Sequence, residues 1–218
     1  MKIKAVLFNF LGTTVKEKDS CVITNCLSWA FTDHGFYFND EFFNSVKGKD
    51  SLVVIKEVLH LFNLPLSLAD TIYCSFKNYI QRNVENFISF DDSLIIFSHL
   101  IRRGILMGIE TGLPREVFDI VFTHLGWSKR AFNYIGFFNE IAKNNYERNT
   151  TYDATSIFGI GSSKEILKVG NTVEDVRKGK KAGCLTAVVL SGTPAKNDVI
   201  EEKPDFILRS LSDLKMVV

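Results

Sequence analysis

The sequence has almost no excess of charge of either sign, and it has no long apolar run. Its 26 Lys and Arg face 25 Asp and Glu, for a net charge of +1 at pH 7. Composition therefore gives no reason to expect nucleic acid or an anionic membrane as a partner. No stretch approaches the roughly 20 apolar residues of a membrane-spanning helix, and the first residues lack a signal-peptide pattern. We expect a soluble cytoplasmic protein.

Cysteine is scarce and is not arranged in pairs. None of the four cysteines follows another at the Cys-x-x-Cys spacing of metal or redox motifs. Reduced, mostly buried thiols are the expected state of such residues inside a cell. The sequence therefore predicts neither a disulfide framework nor a cysteine metal site at Cys21, Cys26, Cys74 and Cys184.

Hydrophobic residues, by contrast, are abundant, at 46% of the chain with 19 Phe. This composition can bury a sizeable core, and 218 residues allow one domain with an insert or two small domains. Residues 16–88 show apolar positions at three-and-four spacing, which predicts an all-helical stretch. After it, short apolar runs alternate with helical patterns, which favours a parallel sheet covered on both faces. The predicted strands there are 105–109, 132–138, 166–170, 185–190 and 206–208.

The first strand opens onto a loop with a distinctive sequence. The apolar run from Ala5 to Phe8 is followed by Asn9-Phe10-Leu11 and then by Gly12, Thr13 and Thr14. Loops at the carboxyl ends of parallel strands are where α/β proteins bind ligands. The stretch resembles the first motif of the haloacid dehalogenase (HAD) superfamily, in its phosphonatase-like or phosphoglycolate-phosphatase-like branch. In that family the strand ends in Asp-x-Asp-Gly-Thr or Asp-x-Ala-Gly-Thr-Thr.

Two later segments extend the resemblance. Thr111-Gly112, after the strand at 105–109, is similar to the second HAD motif, in which a hydroxyl binds the transferred phosphoryl group. The stretch 168–179 resembles the fourth motif, Val-Gly-Asp-Thr-x-x-Asp-x-x-x-Gly. There Asn171 stands in place of the leading Asp, a magnesium ligand of the family, and Asp175 keeps the second acidic position.

The third motif, a basic residue of the phosphate site, has two candidates, Arg148 and Lys143. An ordinary surface charge is an equally good interpretation of either residue. With the first two motifs, the resemblance implies a phosphate-binding set of Thr13, Thr111, Gly112 and Arg148.

The implied architecture is an α/β fold with a doubly wound parallel sheet and a helical cap inserted after the first strand. The HAD-like core would comprise residues 1–15 and 89–218, and the cap residues 16–88.

The substitutions bear directly on the implied chemistry. Asn9 replaces the nucleophilic Asp of the family and Leu11 replaces its acid/base, and neither side chain can perform those steps. With neutral Asn9 and Asn171, only Asp175 and the Leu11 carbonyl remain of the implied magnesium ligands. We therefore expect a pseudoenzyme without a cofactor, which binds a phosphorylated small molecule or a protein partner.

Other interpretations stay open from the sequence. The pocket could be vestigial and filled by Leu11 and Phe10. The chain could be an active phosphonatase-like or phosphatase-type hydrolase with altered chemistry, using Mg²⁺ and recruiting Asp175 or Asp19. It could also have a structural or oligomerisation role through the cap.

Overall fold

The computed structural model describes residues 2–19, 21–39, 42, 50–138, 150–193 and 196–218. Eight strands lie within these residues: β1 (Ala5–Asn9), β2 (Val15–Glu17), β3 (Phe87–Ser89), β4 (Leu106–Thr111), β5 (Tyr134–Phe137), β6 (Ile166–Gly170), β7 (Leu185–Val189) and β8 (Phe206–Leu208). The α-helices among them are α1 (Val22–Thr32), α2 (Ser51–Leu61), α3 (Ala69–Arg82), α4 (Ser93–Arg102), α5 (Arg115–His124), α6 (Thr150–Phe158), α7 (Val173–Lys181) and α8 (Lys196–Glu201).

Six of the strands form one parallel sheet in the order β5-β4-β1-β6-β7-β8. The order reverses direction at β1, so the loop after β1 lies at the crevice where α/β sheets bind ligands. The predicted α/β fold with a parallel sheet is confirmed. Strands β2 and β3 pair separately in a two-stranded sheet.

Strand β1 is central because both of its faces are covered. Its first four residues are fully buried, as expected for a continuous apolar run inside a parallel sheet. On one face Leu7 belongs to a cluster with Phe158 of α6. On the other face Phe8 packs edge-on against Phe97 of α4, with ring centroids 5.5 Å apart.

Packing divides the described residues into two compact units. Unit 1 comprises Met1–Lys16, Ser89–Thr111 and Ser128–Val218, and unit 2 comprises Glu17–Ile88 and Gly112–Trp127. The predicted core and cap boundaries stay a prediction, but unit 2 differs from the predicted cap by also holding α5. Two contacts attach α5 to α3: Tyr73 Oη donates to Glu116 Oε2 at 2.7 Å, and Lys77 Nζ lies 3.8 Å from Glu116 Oε1.

Unit 2 has an apolar core of its own. Buried residues of α1 recur at helical spacing, as do those of α3, where Ile72, Phe76 and Ile80 have no exposed surface. The rings of Trp29 and Tyr79 contact each other in a tilted arrangement, with centroids 5.5 Å apart and an interplanar angle of 52°. None of the helices in the part of the chain that the structure describes combines the length and apolar character needed to cross a bilayer.

Candidate functional site

The loop after β1 is a tight turn that needs glycine. Thr14 Oγ1 donates to the Phe10 carbonyl at 2.9 Å, and Gly12 N–H donates to the Val15 carbonyl at 2.7 Å. Gly12 has a φ of +84°, a conformation that favours glycine. A side chain at residue 12 would also overlap the amide group of Asn171. The turn thus brings the loop after β1 into direct contact with the loop after β6.

Two amide side chains meet at this contact. Asn9 Nδ2 donates to the Leu11 carbonyl at 2.9 Å and to Asn171 Oδ1 at 3.0 Å. Thr13 Oγ1 donates to the same Asn171 Oδ1 at 3.0 Å, and Asn171 Nδ2 donates to the Gly192 carbonyl at 3.0 Å. The Leu11 carbonyl determines the orientation of the Asn9 amide. In the flipped orientation Asn9 Oδ1 would face the Leu11 carbonyl oxygen, and both of these atoms are acceptors.

Asp175 lies beside this pair, but both of its carboxylate oxygens are engaged, one at the start of its own helix and one by a lysine of β6. Its Oδ2 accepts from the backbone N–H groups of Asn171 and Thr172, each at 3.1 Å, and from Thr172 Oγ1 at 2.7 Å. Thr172 Oγ1 in turn accepts from Asp175 N–H, which completes a capping box at the start of α7. The other carboxylate oxygen of Asp175, Oδ1, lies 3.3 Å from Lys168 Nζ. These contacts make Asp175 a helix cap and the partner of a buried lysine.

The predicted phosphate-binding residues are only partly within the described residues. Thr13 and Thr111 are buried, and Thr111 lies at the carboxyl end of β4 with Gly112 next to it. Among the described residues no acceptor receives a hydrogen bond from the backbone N–H groups of Leu11 and Thr13. Arg148 and Lys143, the candidates for the third motif, lie outside the described residues.

Other predicted participants are placed differently. Phe10 is fully buried in the core, whereas Leu11 is only half-buried. Asp19 belongs to unit 2, where its carbonyl accepts from the N–H groups of Cys21 and Val22. Across the described residues, no three or more His, Cys, Asp and Glu side chains group as a metal site would require.

Sequence reasoning missed a buried ion triad below the amide pair. Lys168 Nζ lies 2.7 Å from Glu110 Oε2, and the side chains of Lys168 and Glu110 are 1% and 0% exposed. Burial by itself would lower the pKa of Lys168, but the charges of Glu110 and Asp175 outweigh it and the pKa is raised. The signal was a charged residue inside each of two apolar strands, which burial permits only with a partner.

The Cys184 thiol, which is close enough to the triad for its pKa to be affected by Glu110, does not supply a nucleophile. Burial, reinforced by the Glu110 carboxylate, raises the pKa of Cys184 to about 12. A cysteine reacts as its thiolate, so this thiol is unreactive near neutral pH.

Comparison with known proteins relates this geometry to the phosphohydrolases. The chain is 22% identical over 205 residues to a bifunctional phosphonoacetaldehyde hydrolase/aminoethylphosphonate transaminase of Clostridioides difficile (strain 630), covering 88% of this chain and 32% of that protein. The chain thus spans about a third of the length of that relative. It is 23% identical over 217 residues to the pyrophosphatase PpaX of Bacillus cereus (strain AH820), covering 98% and 95% of the two chains. No family model matches the chain.

Solved structures agree with these sequence similarities. A predicted phosphoglycolate phosphatase from Haemophilus somnus 129pt superposes with a TM-score of 0.79 at 17% identity, covering 100% of this chain and 98% of the other. A phosphonoacetaldehyde hydrolase-like protein from Oleispira antarctica superposes with a TM-score of 0.74 at 16% identity, covering 100% and 91%. The resemblance drawn from the sequence is confirmed: this chain has the fold of the haloacid dehalogenase-like phosphohydrolases and is similar to them in sequence.

Proposed function

We propose that this chain binds a phosphate-bearing ligand or partner on a HAD-like hydrolase fold without hydrolysing it. The observation that carries the proposal is the orientation of Asn9, whose Nδ2 donates to both the Leu11 carbonyl and Asn171 Oδ1. These contacts use the groups that the family resemblance assigns to catalysis and to metal binding.

The first support is the loss of a nucleophile and of an acid/base. The family reaction needs a carboxylate at residue 9 to attack phosphorus. An uncharged amide is a far weaker nucleophile, and both hydrogens of Asn9 Nδ2 are already donated. Residue 11 must exchange a proton with the leaving group and later with water. The aliphatic side chain of Leu11 has no group that can do so.

The second support is that the residues present do not fit Mg²⁺. This ion takes oxygen ligands in a near-octahedral shell and favours carboxylates. Here an NH₂ group points at the two oxygens, Leu11 O and Asn171 Oδ1, that would otherwise face a cation. Asn171 Oδ1 also accepts a second hydrogen bond, from Thr13. Asp175, the remaining acid, has both carboxylate oxygens engaged.

The third support is a set of donors suited to an anion. The N–H groups of Leu11 and Thr13 are both free of described acceptors, and successive backbone N–H groups in a turn form anion-binding concavities. Thr111 at the end of β4 and a basic residue in 143–148 complete the proposed set. Because Asn9 and Asn171 are neutral, the site lacks the like-charge repulsion that two carboxylates would exert on phosphate.

The competing function is hydrolysis by altered chemistry. It is favoured by the sequence similarity to a phosphonoacetaldehyde hydrolase and to a pyrophosphatase. This alternative needs a nucleophile other than Asn9, and the engagement of Asp175 in the helix cap makes that residue unsuitable.

Turnover and binding assays separate the two functions. Wild-type protein with Mg²⁺ is expected to leave p-nitrophenyl phosphate, pyrophosphate and phosphonoacetaldehyde unchanged, while isothermal titration detects binding of inorganic phosphate. Magnesium-dependent turnover by the wild type that Thr111→Val and a chelator both abolish would overturn the proposal. If the wild-type protein does not bind phosphate, the proposal that the site binds a phosphate-bearing ligand is wrong.

A reconstructed site provides the positive control for the assays. Asn9→Asp, Leu11→Asp and Asn171→Asp together should give Mg²⁺-dependent turnover at least tenfold above the wild-type background. The matched control is Asn78→Asp, on the exposed face of α3, which should leave the background unchanged.

A further inference from the structure

A lysine is buried in the middle of the main sheet, away from the surface where lysines normally lie. Lys168 is the third residue of β6, and its side chain is 1% exposed. Its ammonium lies 2.7 Å from Glu110 Oε2 on β4 and 3.3 Å from Asp175 Oδ1 on α7. One fixed positive charge thus bridges two carboxylates that belong to different elements.

The strand register places this triad directly beneath the amide pair. Lys168 pairs with Leu7 on β1, and Glu110 pairs with Asn9 at the end of the same strand. Side chains of paired residues in a parallel sheet leave the sheet on the same face. The ammonium therefore reaches along one face toward the carboxyl edge, where Asn9 lies.

The two acidic residues of the triad bond to further segments, Asp175 through its carboxylate and Glu110 through both its carboxylate and its backbone carbonyl. Asp175 Oδ2 accepts from the backbone N–H groups of Asn171 and Thr172 at 3.1 Å, which sets the loop that presents the Asn171 side chain. Glu110 Oε2 accepts from Thr151 Oγ1 at 3.2 Å, and the Glu110 carbonyl accepts from Phe10 N–H at 2.9 Å.

Two glycines leave space for these side chains. A Cβ at Gly170 would overlap the Asp175 side chain, so Asp175 can turn back over β6 only because residue 170 has none. A Cβ at Gly179 of α7 would lie 2.6 Å from Thr186 Cγ2 and 3.1 Å from Lys168 Cβ. The backbone around the triad is shaped to admit it.

We propose that Lys168 is a positioning residue, an internal cation that fixes the Asn171 loop through Asp175 and the end of β4 through Glu110. Among the described residues its ion pairs are with Glu110 and Asp175, and it acts by holding these two acidic residues in place. The proposal does not depend on whether the site binds phosphate. It differs from a merely stabilising buried ion pair, which would protect the whole fold without any special effect on one loop.

Native-state hydrogen exchange followed by NMR distinguishes these roles. In Lys168→Met, the amides of Asn171 and Thr172 should exchange at least tenfold faster than in Leu214→Ala, a control that removes a fully buried side chain from unit 1. The comparison is made in urea concentrations that give the two variants equal global stability. Equal exchange at both amides in the two variants would overturn the proposal.

A second variant keeps the test decisive if Lys168→Met does not fold. Asp175→Asn keeps the size of the side chain and removes the charge that Lys168 contacts. It should also release the Asn171 and Thr172 amides at least tenfold relative to Leu214→Ala. In Glu110→Gln, the exchange rates of these two amides should stay near those in Leu214→Ala, because Glu110 forms no hydrogen bond with either amide. Protection of both amides in Asp175→Asn, or their release in Glu110→Gln, would refute positioning through Asp175.

Discussion

An Asn at residue 9 has an NH₂ group where an Asp would have a second oxygen. This difference changes which groups residue 9 can bind at the carboxyl edge of the sheet. A carboxylate offers only acceptors, whereas the Asn9 amide donates to two oxygens within 3.0 Å. The neutral pair Asn9 and Asn171 therefore stabilises the contact between two loops through hydrogen bonds among protein groups. The same contact with carboxylates would need a cation between them.

Asn9→Asp should therefore destabilise the protein in the absence of metal. The new carboxylate would lie near two acceptors. The Leu11 carbonyl would lose the Asn9 donor and Asn171 Oδ1 would keep only the bond from Thr13, at a cost of about 1–3 kcal/mol. The free energy of unfolding in urea at pH 7 measures this loss.

The loss should shrink as the pH falls toward 4, because a carboxyl among acceptors has a raised pKa and donates once protonated. Asn78→Asp on the exposed face of α3 is the control, and it should change stability by less than about 0.5 kcal/mol. Equal stability of Asn9→Asp and wild type would mean that the Asn9 amide does not donate as described.

Gly170 offers a second test at the scale of one residue. Gly170→Ala should cost about 3 kcal/mol, because the added Cβ would overlap Asp175 within a closely packed site. Gly161→Ala is the matched control, since a Cβ at residue 161 meets no atom within 4 Å. Urea denaturation of both variants measures the difference, and equal stabilities would show that Asp175 does not lie over Gly170.

At this scale the sequence predicted positions better than contacts. Motif spacing placed Asn9, Thr111 and Asn171 at the ends of strands, and the structure has them there. It did not predict that Asp175 caps its own helix, since the motif assigned it to a metal. A lysine inside an apolar strand also does not reveal its partner, because Glu110 is 58 residues earlier (168 − 110) and is brought near only by strand pairing.

Among the elements, helix α7 shows how one residue can start a helix and shape a site. Thr172 Oγ1 at the N-cap accepts from Asp175 N–H. The Asp175 carboxylate in turn accepts from the Thr172 hydroxyl and from the Thr172 N–H. Acidic Glu174 and Asp175 in the first turn and three lysines in the last turn also complement the helix dipole.

Thr172→Ala should lower the free energy of unfolding by about 0.5–2 kcal/mol through loss of the cap. Thr172→Ser retains an oxygen at the same place and should keep most of the stability. Thermal unfolding monitored by circular dichroism compares the two variants. Similar losses in both would assign the effect to the methyl group of Thr172 instead of its hydroxyl.

Element prediction from the sequence worked where periodicity was clear. Strands β6 and β8 begin and end at the predicted residues. Helix α6 was missed, because Thr150–Phe158 has four β-branched residues and few strong helix formers. Its helical state is supported instead by tertiary packing of Ala154 and Phe158 against β1 and β5.

For the whole molecule, the buried triad links stability to alkaline pH. The pKa of Lys168 is raised in the folded state above its ordinary value of about 10.5. Its contribution is therefore fully present below pH 10.5 and is lost as the pH rises through the folded pKa. Glu110 and Asp175 face the ammonium, and the nearby Cys184 thiol also titrates in the alkaline range.

The stability gap between wild type and Lys168→Met should accordingly be about 3–5 kcal/mol at pH 8. It should then narrow above pH 10.5, by as much as about 1.4 kcal/mol for each pH unit over which the unfolded lysine has lost the proton that folded Lys168 keeps. Urea unfolding at fixed ionic strength from pH 8 to 11.5 measures the gap. A gap that widens with pH would contradict the direction of the pKa shift.

At the same scale, the sequence indicated the class of fold but not the division into units. The alternation of strands and helices predicted a parallel sheet, and the order around β1 confirms it. The inclusion of α5 in unit 2 depends on contacts such as Tyr73 with Glu116, which are 43 residues apart and invisible to local patterns.

The Asn9 amide also has a consequence for regulation. A cleft closed by an ion changes occupancy whenever the free concentration of that ion fluctuates. In this chain the hydrogen bonds of the Asn9 amide take the place of such an ion, and they do not depend on an ion concentration. In the function proposed above, the fraction of protein with bound ligand would therefore depend on the ligand concentration alone. A protein with the function proposed above would therefore bind its phosphate-bearing ligand to the same extent at low and at high concentrations of divalent cations.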